Sequence, residues 1–301
     1  MDIDTRLLRY FVAVAEEGHL TRAARRLFIS QPALTKQIKQ LEQQLGVELF
    51  VRSRSGMTLT EPGRIFAAHA PGLLTGWDAM LRATKSGASR AGKVLRIGFI
   101  ASAANEFAPE IVAEFRRAHP DWRLDMREFG WLDPTAGLAS GEVDAALVRL
   151  PFPGADAFPS AELFSEPRWI ALPAAHPLAA SDEIEFRDLW DEPFVASPPE
   201  SGWWRDFWIG LDARPADTAV IGAIAHSTDE WLTAIANGFG LSFTPAASAR
   251  YYPRPGIAYR PVRGIGPSRV AAAWPACADA DPVVGEFIRC CVRVCGAPQR
   301  N

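Results

Sequence analysis

Between Ser30 and Gly46 lies a segment, SQPALTKQIKQLEQQLG, that admits few structures. Ser30 is placed to cap a helix, Pro32 falls in its first turn where a missing N–H costs nothing, and Gly46 ends it. Leu34, Ile38, Leu41 and Leu45 recur at spacings of 4, 3 and 4, which makes one buried stripe. Gln31, Thr35 and Lys39 form an outward row, with Pro32, Lys36 and Gln43 beside it. Alone, this is an ordinary amphipathic helix with a solvated face.

Its neighbours change that reading. Upstream, Leu7, Leu8, Phe11, Val14 and Ala15 mark the inner stripe of a first helix that ends near Gly18. A second short helix, capped by Thr21, turns Ala23, Ala24 and Leu27 inward. Downstream, ELFVRSRSGMTLT predicts two short strands, 49–52 and 57–60, around a turn containing Gly56, with Arg52 and Arg54 projecting. Together these make a winged helix-turn-helix. Its third helix fits the major groove of duplex DNA, where Gln pairs with adenine, Lys with guanine, and a Thr methyl meets thymine. The hairpin arginines reach phosphates or the minor groove. Charge agrees: residues 1–60 hold nine Lys/Arg against six Asp/Glu, while the remainder holds 23 against 29.

Residues 7–63 closely resemble the N-terminal domain of LysR-type transcriptional regulators. The pattern is Phe11, Ala23-Ala24, Leu27, Ser30-Gln31-Pro32-Ala33, Ile38, Leu41-Glu42, Leu45-Gly46, Leu49-Phe50, Arg52, Leu59-Thr60 and Gly63. The resemblance implies base reading by Gln31, Pro32, Thr35 and Lys36. It places Lys39, Arg52 and Arg54 on the DNA backbone or in the minor groove.

From Glu61 to about Ser86 the pattern predicts one long helix, with Thr60 as its cap. Phe66, Ala70, Leu73, Trp77, Met80 and Thr84 follow heptad-like spacing, a stripe that a second copy would cover, so residues 61–86 are expected to pair in a homodimer. Pro71-Gly72 predicts a kink or break, and SGASRAG (86–92) a flexible hinge. The resemblance implies the same dimer, and usually a tetramer.

Beyond the hinge, VLRIGFI (94–100), WRLDMREF and VDAALVRL read as strands, with helices after the first and second. A second set follows: PRWIALP, EPFVAS, AVIGAIAH, a helix from Ser227, LSFTP, RVAAAW and a terminal helix from Asp281. The alternation predicts largely parallel sheets covered by helices. HPLA at His176, GFGLSFTP at Gly238 and EVDAALVRLP at Glu142 resemble landmarks of the LysR effector domain, a periplasmic-binding-protein-like pair of α/β lobes. The whole is an α/β chain: a DNA-binding domain at 1–60, a linker helix and hinge at 61–92, and an effector domain at 93–301. By that resemblance lobe I is 93–163 plus 268–295, lobe II is 164–267, and a small-molecule effector sits between them.

Strand ends nominate the cleft residues: Ser102, Ala103, Trp131, Arg149, Ser197, Pro198 and Thr228. Arg149 is the sharpest, as a guanidinium selecting a carboxylate or phosphate, against the reading of a structural ion pair. Trp203, Trp204 and Trp208 offer an aromatic wall, although core packing is the commoner use.

Two other classes compete. A two-lobed cleft could host catalysis, with an enzymatic or ligand-binding domain fused to a DNA-binding head. No GxSxG, phosphate-binding glycine loop or paired metal ligands occur, and His226 beside Ser227 stands alone, so neither enzyme nor cofactor is expected. An architectural DNA binder would leave the large body without a use. Cys290, Cys291 and Cys295 read as buried hydrophobes on a helix. No membrane span or signal peptide is evident, and a cytoplasmic protein is expected. The partners expected are double-stranded DNA carrying an interrupted inverted repeat, the effector, and further copies of the chain. RNA polymerase is one more partner that such a regulator can meet.

Overall fold

The computed structural model describes residues 3–53, 56–100, 103, 107–214, 219–279 and 281–296. The chain divides into two units, 1–82 and 83–301.

The first unit is built on three helices. α1 (Thr5–Glu17) starts at Asp4, whose carboxylate accepts the Arg6 N–H at 2.8 Å, and stops at Gly18 in the left-handed region (φ 62). α2 (Leu20–Arg26) starts two residues earlier than expected: His19 precedes it without a side-chain cap, and Thr21 lies inside. α3 (Gln31–Leu45) is capped as predicted, Ser30 Oγ accepting the Ala33 N–H at 3.3 Å and Gly46 closing it. Leu7, Leu8, Phe11, Val14, Ala23, Ala24, Leu34, Ile38 and Leu41 bury together, and the small alanines let the helices approach closely.

The hairpin of β1 (Phe50–Ser53) and β2 (Gly56–Leu59) is antiparallel. It is held from both sides. Glu42 Oε1 on α3 accepts the N–H groups of Leu49 (2.9 Å) and Phe50 (3.2 Å). Met57 N–H donates to the Gly18 carbonyl at 2.7 Å. Gly56 has φ 131, and a Cβ there would meet the Gly18 oxygen at 2.4 Å, so no other residue fits without movement.

α4 (Glu61–Ala91) is one helix. Thr60 Oγ1 accepts the Gly63 N–H at 3.0 Å and donates to the Glu48 carbonyl at 2.7 Å. Neither the break at Pro71 nor the hinge at 86–92 forms by Ala91. Proline removes a single bond, to the Ala67 carbonyl, and the Thr75 hydroxyl donates to the Pro71 carbonyl at 2.9 Å. Glycine at 87 costs only about 1 kcal/mol against alanine, which propagation of an existing helix absorbs. Ala70 and Phe66 join the first unit's core, whereas Leu73 (64 % exposed), Trp77 (41 %), Met80 and Leu81 leave an apolar face open.

In the second unit a five-stranded sheet has the order β4 (Arg123–Phe129), β3 (Val94–Ile100), β5 (Ala145–Leu150), β13 (Ser268–Ala273), β6 (Ser160–Glu166). β3 runs parallel to β4 and β5, and β13 runs antiparallel to β5 and β6. α5 (Ala108–Ala118) and α9 (Pro282–Gly296) bury Ile111, Phe115, Phe287, Cys290 and Cys291 against Leu95, Ile97, Leu147 and Val270. Asp281 caps α9, accepting the Val283 N–H at 2.8 Å.

A second sheet has the order β11 (Ser242–Pro245), β7 (Arg168–Pro173), β12 (Ile257–Arg263), β8 (Ile184–Glu185), with β7 antiparallel to both neighbours. β9 (Phe194–Ala196) and β10 (Ile221–Ile224) form a parallel pair beside it. α6 (Trp203–Trp208), α7 (Thr228–Ala236) and α8 (Ser248–Tyr251) complete the set. The chain passes between the two sheets after Glu166 and again after Arg263.

Both sheets are therefore mixed, not largely parallel: β13 enters the first sheet on return from the second and runs against its neighbours. Residues 130–144 make successive turns instead of the expected helix. β6, β8 and β12 were not anticipated. Among the described residues, no helix is long and apolar enough to cross a membrane.

Candidate functional site

Two sites emerge, one in each unit. On α3 the buried stripe forces the opposite row outward: Gln31, Pro32, Lys36 and Lys39 are exposed and Thr35 is half-buried. Gln31 Nε2 donates to Thr35 Oγ1 at 3.0 Å, so these two polar groups form one surface. Among the described residues, no carboxylate lies within ion-pair distance of Lys36, Lys39 or Arg52. The cations of α2 differ, since Arg22 and Arg26 are tied to Glu17 and Glu16 at 3.4 and 2.6 Å. Arg52 is exposed on β1, and Arg54 lies outside the described residues. Two features escaped the sequence reading. Glu42 couples α3 to the hairpin, and Phe28, in the turn before α3, is 88 % exposed with φ 54. Glu42 belongs to the sequence pattern, but nothing local marks its link to the hairpin, because its partners are backbone groups.

The second site is a concavity of about 70 Å³, partly open to solvent. Trp131 reaches it from the turn after β4, Val195 and Ser197 from the end of β9, and Trp204 and Trp208 from α6. Thr228 and Trp231 come from the start of α7, Ser242 to Pro245 from β11, and Ser248 and Tyr252 from α8 and the residue after it. Ser227 Oγ caps α7 by accepting the Glu230 N–H at 3.3 Å, and Glu230 reaches back to the His226 N–H at 2.8 Å, as the capping-box spacing predicts. Ser197 Oγ lies 2.8 Å from Ser201 Oγ, whose own hydrogen goes to the Pro198 carbonyl at 2.6 Å. Thr244 Oγ1 donates to Ser248 Oγ at 2.6 Å.

Three of the seven nominated cleft residues, Trp131, Ser197 and Thr228, thus meet in one pocket. Pro198 is buried beside Ser197 and is not part of the lining. Ala103 is buried among Leu95, Ile111 and Phe115, and Ser102 lies outside the described residues.

Arg149 is corrected to a structural role. Its side chain is 0 % exposed, Nη2 meets Glu166 Oε1 at 2.8 Å, and Nη1 donates to Ser268 Oγ at 2.8 Å. Glu166 Oε2 accepts the Ala247 N–H at 3.2 Å, which ties the first sheet to α8. Burial pushes the guanidinium below its ordinary value and Glu166 pulls it back up. Arg168, not singled out from sequence, is the counterpart in the second sheet. It forms a bidentate pair with Asp212 (2.9 and 2.8 Å), donates to the Gly266 and Phe207 carbonyls, and lies 4.0 Å from the Phe207 ring centroid. It anchors α6, and with it Trp204 and Trp208. Those two tryptophans serve both expected uses, core and pocket wall.

Of the cysteines, Cys290 and Cys291 are buried and Cys295 half-buried. Burial raises all three thiols, that of Cys295 to about 12.

The chain matches two family models: "Bacterial regulatory helix-turn-helix protein, lysR family" over residues 5–64, and "LysR substrate binding domain" over residues 88–296. It is 38 % identical to the uncharacterized HTH-type transcriptional regulator YnfL of Escherichia coli over 257 residues, covering 83 % of this chain and 84 % of the relative. It is 32 % identical to the Hca operon transcriptional activator HcaR of the same organism over 291 residues, covering 95 % and 96 %. Its fold matches a full-length variant of OxyR from Pseudomonas aeruginosa with a TM-score of 0.54 and 28 % identity, covering 98 % and 100 %. The family is one of transcriptional regulators, not enzymes. The chain is a member of the LysR family: a DNA-binding transcriptional regulator with a helix-turn-helix head, a long helix and a two-lobed α/β effector-binding domain.

Proposed function

We propose that this regulator reads an interrupted inverted repeat as a homodimer, and that a small molecule in the pocket of the second unit governs its geometry on DNA. Gln31, Pro32, Thr35 and Lys36 contact base edges, while Lys39, Arg52 and Arg54 hold phosphates or the minor groove. The observation that carries the reading is the exposed row of α3, polar and cationic, with no carboxylate among the described residues to neutralise its lysines. The open face of α4 at Leu73, Trp77, Met80 and Leu81 supports pairing through residues 61–86. Two-fold related heads read two-fold related half-sites. Two dimers then join as a tetramer, RNA polymerase is met at the promoter, and the protein works in the cytoplasm.

The division proposed is a head at 1–60, a linker at 61–92 and a regulatory domain at 93–301, with lobe I at 93–163 and 268–295 and lobe II at 164–267. Ligand binds one arrangement of the lobes more tightly and shifts the population toward it, changing the spacing of the heads. The test is selection of genomic fragments by the full-length protein, followed by footprinting with and without the metabolites that neighbouring genes suggest. Enrichment of one interrupted inverted repeat, with ligand altering the protected length, is expected. Binding without a common repeat would overturn the reading.

A further inference from the structure

The chain leaves the second sheet through residues 264–267, between the end of β12 at Arg263 and the start of β13 at Ser268. Arg168 grips that crossing: its Nε donates to the Gly266 carbonyl at 2.7 Å. The same guanidinium grips the C-terminal end of α6. Nη1 donates to the Phe207 carbonyl at 2.8 Å and to Asp212 Oδ1 at 2.9 Å, and Nη2 donates to Asp212 Oδ2 at 2.8 Å. A guanidinium is planar and its N–H groups aim in fixed directions, so with four of the five committed here it cannot turn toward one acceptor without turning from another. The Phe207 ring packs on it, with its centroid 4.0 Å from Cζ. Arg168 is 1 % exposed, so water does not stand in for an acceptor that shifts.

α6 is also the element through which the pocket meets both sheets. Trp204 and Trp208 line the pocket. With Phe207 they belong to one core that includes Val148 and Ala271 of the first sheet and Ile170 and Leu172 of the second. Close packing of this kind passes a displacement on instead of absorbing it. The wall of the pocket and the route of the chain between the sheets thus share one buried side chain, contributed by the first residue of β7.

We infer that Arg168 is the positioning residue that couples the pocket wall to the crossing: displacement of α6 by an occupant tilts the guanidinium and moves Gly266, so pocket shape and chain path change together. This deepens the proposed function and rests on the reading of the pocket as the effector site. A purely structural ion pair would hold α6 and the crossing in place without making one answer to the other.

The experiment is a double-mutant cycle on full-length protein, read by amide hydrogen exchange in peptides covering 257–270. Trp204→Phe disturbs the pocket wall, and Asp212→Asn weakens the fork at its partly exposed carboxylate, 33 % accessible. Trp204→Phe should speed exchange at the crossing by about tenfold while the fork is intact. In the Asp212→Asn background the same change should add less than about twofold, because the link is already cut. Arg168→Lys keeps the charge and loses the fork, so it should repeat the Asp212→Asn result, and it takes that variant's place in the cycle if Asp212→Asn fails to fold. Effects that multiply independently would overturn the coupling and leave Arg168 a structural pair. So would a crossing indifferent to Trp204→Phe, or Arg168→Lys behaving as wild type. No ligand enters this cycle, so its failure leaves the pocket as the effector site, whereas a footprint that no metabolite alters removes the effector reading and leaves the coupling standing.

Discussion

Arg149 Nη2 stands 2.8 Å from Glu166 Oε1, with the arginine side chain sealed from solvent and the glutamate 11 % exposed. Removing one member leaves the other as a buried charge. Arg149→Met should therefore cost about 3–5 kcal/mol in denaturant unfolding of the regulatory domain. Adding Glu166→Gln should return part of that loss. A variant that folds with full stability yet fails to respond to ligand would restore Arg149 to the effector site.

On the DNA side, positioning and reading should separate. Lys39→Ala should weaken every DNA sequence alike and reduce the salt dependence by about one phosphate contact. Gln31→Ala should cost about 1–3 kcal/mol on the preferred half-site and little on random DNA. Fluorescence anisotropy across a salt series with both duplexes distinguishes the two.

For the open face of α4, Trp77→Glu should raise the dimer dissociation constant by at least about thirtyfold, as loss of a large aromatic anchor does. Sedimentation should show monomer, while circular dichroism of the helices is retained. An unchanged dimer would place the subunit contact elsewhere.

The raised thiols give an alkaline prediction. Cys295 has a folded value of about 12 against an ordinary 9.0, because burial disfavours the thiolate. Its contribution to stability is complete below pH 9 and is lost as pH rises through the window up to about 12. Thermal unfolding from pH 8 to 11 should fall, and Cys295→Ala should flatten the fall. Tyr259, also raised by burial to about 12, titrates in the same window, so only the difference between variants is diagnostic.

What could be read from the sequence was whatever local physics decides. Ser30, Pro32, Gly18 and Gly46 are caps, and the 4-3-4 spacing of Leu34, Ile38, Leu41 and Leu45 is a helix period. The errors share a different origin. Pro71 and Gly87 look like breakers but sit where neighbouring turns carry the helix through. β12 was hidden because Pro261 lowers its strand character, and only pairing with β7 and β8 rescues it. Arg149 was found as a strand end, yet its partners lie 17 and 119 residues away. The pocket was half legible: Trp131, Ser197 and Thr228 sit at strand ends or a helix start, whereas Ser248 and Tyr252 arrive only through the second sheet's tertiary packing.

The bridge from Glu42 to Leu49 and Phe50 has a consequence for how such operators diverge. One carboxylate locks recognition helix and wing into a single caliper of fixed opening. In the proposed dimer the width of DNA spanned by each half-site would therefore be constant, while the letters within it would change through substitutions on the outer row of α3. The gap between half-sites answers to other parts of the chain. Operators of this regulator in related genomes should drift in letters and in gap length, and hold their half-site width.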